Sequence, residues 1–146
     1  MARILIVENS PFFADVLACT LGLEEYDVTV ANTAVEGVRL GLASRPDVVI
    51  AAWSLRSDIH GGEVCRRIRA AWPGTKVVII TGHDELVSQA EEYCGGAAAV
   101  LAKPFHKNDI LGAVRRALCS DAAFSPPHSC VGDFQDVAID TILIPR

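Results

Sequence analysis

At 146 residues, with 51% apolar and 21% charged side chains, the chain has material for one well-buried core and no room for a second folded domain. That balance excludes a disordered polymer. A net charge of −5 without a long basic run argues against nucleic acid as a ligand of the chain by itself.

Apolar runs alternate with helical periods from residue 3 to residue 118. The run "RILIV" predicts a first strand over Ile4–Val7. Ser10 followed by Pro11 is a cap and first-turn proline, and Phe13, Val16, Leu17, Thr20 and Leu21 behind it make one inward stripe of a first helix. "DVTVA" predicts the second strand. Thr33 with Glu36 forms a capping box for a second helix whose inner face is Ala34, Gly37, Val38, Gly41 and Leu42. Its two glycines weaken the helix but let it approach the sheet closely.

The stretch "PDVVIAAWSL", Pro46 to Leu55, is a short apolar run bounded by turn residues, the mark of a strand buried on both faces of a parallel sheet. Val64, Cys65, Ile68 and Trp72 then mark the inner stripe of a third helix, which "WPG" stops. "KVVIIT" gives the fourth strand, and Leu86, Ala90, Tyr93 and Cys94 the fourth helix, closed by "GG". "AAAVLA" gives a weak fifth strand, and Ile110, Leu111, Val114 and Leu118 the last helix. Five βα units follow, and parallel strands joined by right-handed crossovers on both faces make a doubly wound α/β sheet.

Beyond residue 119 the composition changes. Residues 1–119 form the predicted domain; 120–146 begin as a linker-like stretch with paired prolines and end in the apolar "VAIDTILIPR", read as a docked tail, an extra strand or a self-association element. Five cysteines (Cys19, Cys65, Cys94, Cys119, Cys130) make no CxxC pair and are expected as reduced, packed thiols. The amino terminus lacks a signal-peptide layout, and no apolar run approaches the roughly 20 residues of a membrane helix, so a soluble cytoplasmic protein without a membrane partner is expected.

In such sheets chemistry sits at the carboxyl ends of the strands. Five βα units, the loop "ENSPF" after strand one, "TG" ending strand four and "KPF" ending strand five together resemble the receiver domain of two-component response regulators, over Ala2 to about Leu118. The resemblance implies a flavodoxin-like sheet of order 2-1-3-4-5 with five helices. It also implies an acidic pair after strand one and a phosphate-accepting aspartate ending strand three, which together hold Mg²⁺. A hydroxyl ends strand four, and a lysine before a cis proline ends strand five.

Matched residue by residue, Glu8 and Asn9 stand at the acidic pair, Thr81 at the hydroxyl, and Lys103 with Pro104 at the Lys-Pro position. Ala52 stands at the acceptor and Val100 at the aromatic switch position. A methyl group neither accepts phosphate nor binds Mg²⁺, so the resemblance points to a degenerate pocket, a pseudo-receiver, with metal binding lost or weak and no catalytic residue. Lys103 then either pairs with Glu8 across the sheet edge or stays solvated, and Thr81 becomes a strand-end hydroxyl. Trp53 is placed to fill the emptied position by packing.

His60, His83 and His106 fall in loops at the same edge near Asp58 and Asp84, without the spacing of any metal motif, and are expected as solvated loop histidines. Arg66, Arg67 and Arg69, and Arg115 with Arg116, give two helices basic exposed sides.

The resulting expectation is a signalling module that works by binding a protein partner, or itself, through the surface of the fourth helix, fifth strand and fifth helix, without phosphorylation and without enzymatic activity. Two other readings stand beside it. One is an ordinary receiver whose acceptor has been replaced by design, against which the loss at Glu8 and Asn9 argues. The other is a flavodoxin-like binder of a small ligand or cofactor, which needs a Ser/Thr/Gly-rich phosphate cradle where this chain has "ENSPFF".

Overall fold

A computed structural model describes residues 1–56, 58–82 and 99–119. Five strands, β1 (Arg3–Val7), β2 (Asp27–Ala31), β3 (Val48–Ala52), β4 (Lys76–Thr81) and β5 (Ala99–Ala102), pair in parallel in the order β2-β1-β3-β4-β5. Four helices are described: α1 (Pro11–Gly22), α2 (Ala34–Ser44), α3 (Gly61–Ala71) and α4 (Lys107–Cys119). The fourth helix expected from sequence falls in residues 83–98, outside the described residues, as does the 120–146 tail. So α4 is the last helix of the sequence reading.

The sheet divides the core in two because successive strand residues point to opposite faces. Ile4, Ile6, Val48, Ile50, Val78 and Ile80 face α1 and α4, meeting Phe13, Leu17, Leu21, Ile110 and Val114. Leu5, Val7, Val49, Ala51, Val77 and Ile79 face α2 and α3, meeting Ala34, Val64, Cys65 and Ile68. All five residues of β3 are buried. A central strand covered on both sides has no solvent face to mark with polar residues, which is why its sequence runs unbroken.

Local signals set the helix starts. Ser10 Oγ accepts the Phe13 N–H at 3.4 Å, with Pro11 opening α1. Thr33 Oγ1 accepts the Glu36 N–H at 3.1 Å at the start of α2. At α4 the capping is reciprocal: His106 N–H donates to Asp109 Oδ2 at 2.8 Å, and Asp109 N–H donates to the His106 carbonyl at 2.9 Å. Thr33→Ala is expected to lower stability by about 1 kcal/mol, read by urea unfolding; an unchanged midpoint would show that the cap contributes nothing.

Several expectations need correction. In α2 the enclosed residues are Ala34, Gly37 and Gly41, while Val38 is half-buried and Leu42 is 41% exposed. A narrow line of small residues is what lets α2 come so close, and Leu42 lies beside that line. It offers its carbonyl instead, which accepts the Trp72 indole N–H at 3.2 Å. The two glycines also serve different neighbours. A methyl at Gly37 would stand 2.8 Å from Val7 Cγ1 in the sheet, whereas one at Gly41 would stand 2.6 Å from Ile68 Cγ1 of α3.

In α1 Ala14 is enclosed while Val16 and Thr20 are only half-buried. Trp72 stands just past α3 as its C-cap and still packs against the core on the α2/α3 side. Of the run that predicts β5, Ala97 and Ala98 lie outside the described residues and Ala99–Ala102 form the strand. Of the cysteines in the described residues, Cys65 is buried but Cys19 and Cys119 are exposed, so packing accounts for one thiol of the three. No helix of the described residues is long and apolar enough to cross a membrane.

Candidate functional site

Parallel strands deliver all their carboxyl ends to one edge. Four neighbours in the sheet bring the sequence-selected residues there: Glu8 follows β1, Ala52 ends β3, Thr81 ends β4 and Lys103 follows β5. The ladder continues one step beyond the strands and fixes their heights. Glu8 N–H donates to the Ala31 carbonyl at 3.0 Å, Trp53 N–H to the Ile80 carbonyl at 2.7 Å, and Lys103 N–H to the Thr81 carbonyl at 2.7 Å.

The charged pair of the site is Glu8 and Lys103. Glu8 is only 3% exposed, and its Oε2 accepts the Ser10 N–H at 3.0 Å. Oε1 has no hydrogen bond; the Lys103 ammonium lies 3.7 Å from it, within ion-pair range but too far for a hydrogen bond. Lys103 is held from a second side as well, its Nζ lying 4.0 Å from the centroid of the Phe13 ring. Phe13 in turn packs edge-on against Phe105, with centroids 5.9 Å apart, and so joins this edge to the core between α1 and α4. The Lys103–Pro104 peptide is cis.

At the tip of β3 there is only a methyl. Ala52 is 6% exposed and packs with Trp53 and Leu55 in the core on the α2/α3 side. The next residues fold back on the strand. Gly61 N–H donates to the Trp53 carbonyl at 2.9 Å, and the start of α3 lies so close to β3 that a methyl on Gly61 would run into the Ala52 carbonyl oxygen. The buried Trp53 ring stacks on the His60 imidazole with centroids 4.0 Å apart and planes 15° from parallel.

His60 is not the solvated loop residue expected from sequence: its Nδ1 accepts the Glu63 N–H at 3.2 Å as the cap of α3. Burial lowers its pKa from 6.5, against the raising pull of Glu63. His106 Nδ1 accepts the Asn108 N–H at 3.1 Å. His83 and Asp84 lie outside the described residues, within which no group of three His, Cys, Asp or Glu side chains is placed to hold a metal ion.

Glu8, Ala52, Thr81 and Lys103 therefore share one edge, with half-buried Asn9 next to Glu8 and buried Thr81 beside the β5 end. Val100 sits back inside β5, opposite Ile79, in the core on the α2/α3 side. The basic side of α3 is partly compensated: Arg66 donates to Glu63 at 2.9 and 2.6 Å and Arg67 donates to it at 2.8 Å. Arg115 of α4 pairs with Glu24 at 3.4 Å.

Sequence reasoning missed Phe13 as a site residue and Gly61 altogether. The aromatic periodicity of α1 accounts for burial of Phe13 but not for a lysine over its ring. The "HGG" run was the available signal for Gly61, since adjacent glycines at a helix start mark close backbone approach.

Residues 4–115 match the family described as response regulator receiver domain. Over 112 residues the chain is 29% identical to the cell cycle transcriptional regulator CtrA of Caulobacter vibrioides, covering 77% of this chain and 48% of that protein. Over 140 residues it is 26% identical to the response regulator MprA of Mycobacterium leprae, covering 96% of this chain and 61% of that protein. The chain thus spans about half the length of the first of these relatives and three fifths of the second. Among solved structures, a CheY-like response regulator receiver domain protein from Methanospirillum hungatei JF-1 superposes with a TM-score of 0.76 at 28% identity, covering 83% of this chain and 96% of that one.

Proposed function

Because the chain belongs to the response regulator receiver family, the signalling module of two-component systems, we propose that it is a receiver that has lost phosphoryl chemistry and signals by protein–protein contact alone. The observation that carries this reading is the Ala52 methyl at the end of β3. Covalent transfer from a phosphodonor needs an oxygen nucleophile at the strand tip, and no rearrangement of an alanine supplies one.

The surroundings support it. The Lys103 ammonium, which would otherwise neutralise a phosphoryl group, is engaged by Glu8 and the Phe13 ring. The donor set does not suit magnesium. That ion favours octahedral oxygen coordination, whereas this edge offers the Glu8 carboxylate, at most an Asn9 carbonyl, and a lysine already beside the carboxylate. Metal binding is expected to be lost or weak. Val100 carries no ring that could swing between two positions, so the family's coupling of site to surface lacks its moving part here.

The partner is a protein or a second copy of the chain, met on the face formed by β5, α4 and the predicted fourth helix. Neither nucleic acid nor membrane is a partner of this chain by itself.

The test is direct. Full-length protein is incubated with acetyl phosphate and Mg²⁺ and its intact mass measured, and separately titrated with beryllofluoride and Mg²⁺ while amide NMR spectra are recorded. The expected result is no phosphoryl adduct and no cluster of shifts around Thr81 and Lys103. A covalent phosphoryl adduct cleaved by alkali and hydroxylamine, as a carboxyl phosphate is, would overturn the proposal.

A further inference from the structure

The loop from β3 to α3 is fastened at both ends and stacked in the middle. At one end Trp53 N–H and C=O are both bonded, to the Ile80 carbonyl and the Gly61 N–H. At the other, the His60 carbonyl accepts from Glu63 and Val64 N–H, at 3.1 and 3.2 Å, while its Nδ1 shares the Glu63 proton at 3.2 Å. Between them the imidazole lies flat on the indole.

This arrangement requires one protonation state. A nitrogen that accepts a hydrogen bond must carry a lone pair, so the neutral ring holds its proton on Nε2; in the cation both nitrogens are donors. Protonation would set the Nδ1–H against the Glu63 N–H. We propose that Trp53 and His60 form a proton-operated latch at the β3 tip: neutral His60 caps α3 and holds Trp53 in the stack, and cationic His60 surrenders the cap and releases the indole. The latch stands whether or not β3 has lost its phosphoryl chemistry.

The charged groups around the ring decide whether the cation is tolerated in place. From α3, the Glu63 carboxylate favours it, but that carboxylate already accepts three hydrogen bonds from Arg66 and Arg67, so the cluster of three carries a net positive charge. On the loop itself Arg56 and Asp58 are exposed to solvent, where screening is strong. From β3, β4 and α2 the described residues of the shared core are apolar. The indole face attracts the cation, but the lost helix cap and the desolvation of a half-buried charge both oppose it.

Burial accordingly wins and the imidazole pKa lies below 6.5. A His whose folded pKa is depressed contributes stability that is fully present above its unfolded value and lost as the pH falls through its folded one. The latch is therefore closed at neutral pH and opens as the pH falls through the depressed imidazole pKa.

The experiment is a pH series from 8 to 5 on the full chain, following by NMR the His60 ring, the two indole N–H signals and the Glu63 amide. Trp53→Phe identifies the Trp53 indole. The expected result is a neutral His60 carrying its proton on Nε2 at pH 8. It then titrates with a midpoint below 6.5, and the Trp53 indole and Glu63 amide move with that same midpoint. The Trp72 indole, bonded to the Leu42 carbonyl, stays still. His60→Asn supplies a cap oxygen that does not titrate, and it should abolish the shared transition while keeping α3 capped. The proposal is overturned if the Trp53 and Glu63 signals do not follow His60, or if the transition persists in His60→Asn. Should that variant fail to fold, the wild-type titration still decides.

Discussion

Replacing Gly61 with alanine should lower stability by about 3 kcal/mol, the upper end of what an extra methyl costs in a packed interior, and lower Tm by roughly 10 °C. The reason is what the methyl meets. It would run into the carbonyl oxygen of Ala52 and lie 3.3 Å from the Ala51 Cβ. A flexible side chain could swing aside, but this obstacle is the backbone of β3, fixed between β1 and β4.

α3 cannot easily retreat either. Its first amide is bonded to the Trp53 carbonyl, and its Ile68 is pressed against the Gly41 gap of α2. Gly61 opens a helix and needs no unusual φ, so the cost comes from space alone. Gly22, at the end of α1, has nothing within 4 Å of a built methyl; Gly22→Ala should be neutral or stabilising by about 0.5–1 kcal/mol. Urea unfolding of both variants checks the pair. A Gly61→Ala midpoint within error of wild type would mean that α3 is not seated on β3 as described.

That contrast marks where the sequence stops being legible. β3 and β4 could be read because a strand covered on both faces carries an unbroken apolar run, and α1 and α2 because Ser10 and Thr33 stand at their starts. The order of the strands entered through the resemblance, since periodicity reports burial and not adjacency. Distances across the fold stayed hidden for the same reason. Nothing in "AVEGVRLGLAS" says that Gly37 faces the sheet and Gly41 faces α3, or that Leu42 escapes both.

The candidate site divides along the same line. The alanine at the tip of β3 is a single aligned position and is plain in the sequence. How Lys103 is held is a question of reach between residues 95 positions apart, and the third member of that contact, Phe13, comes from a helix stripe that looks purely structural. Glu63 shows the intermediate case. A glutamate followed at i+3 and i+4 by arginines announces its partners, yet only the seating of α3 on β3 explains why it is buried while they stay exposed.

Lys103→Met should be the most costly charge deletion at the carboxyl edge, and part of its cost should be recovered when Glu8 is changed too. An exposed ion pair is worth about 0–1 kcal/mol, but removing one partner of a buried pair costs about 3–5 because the other charge is left without compensation. This pair lies between those limits. Glu8 is 3% exposed while the Lys103 side chain is 22% exposed, which sets the expected loss for Lys103→Met at about 2–3 kcal/mol. Methionine keeps the stem on the Phe13 ring, so the loss reports charge more than packing.

Glu8→Gln should cost less, about 1 kcal/mol. Its amide oxygen still accepts the Ser10 N–H, and the freed ammonium reaches water through its exposed side. Adding Glu8→Gln to Lys103→Met removes the stranded carboxylate, so the double variant should be more stable than Lys103→Met alone by about 1 kcal/mol or more. A thermodynamic cycle from urea unfolding at neutral pH measures this. If the two substitutions simply add, the 3.7 Å approach of Lys103 to Glu8 has no energetic content, and the lysine is again available to an incoming anion at the tip of β3.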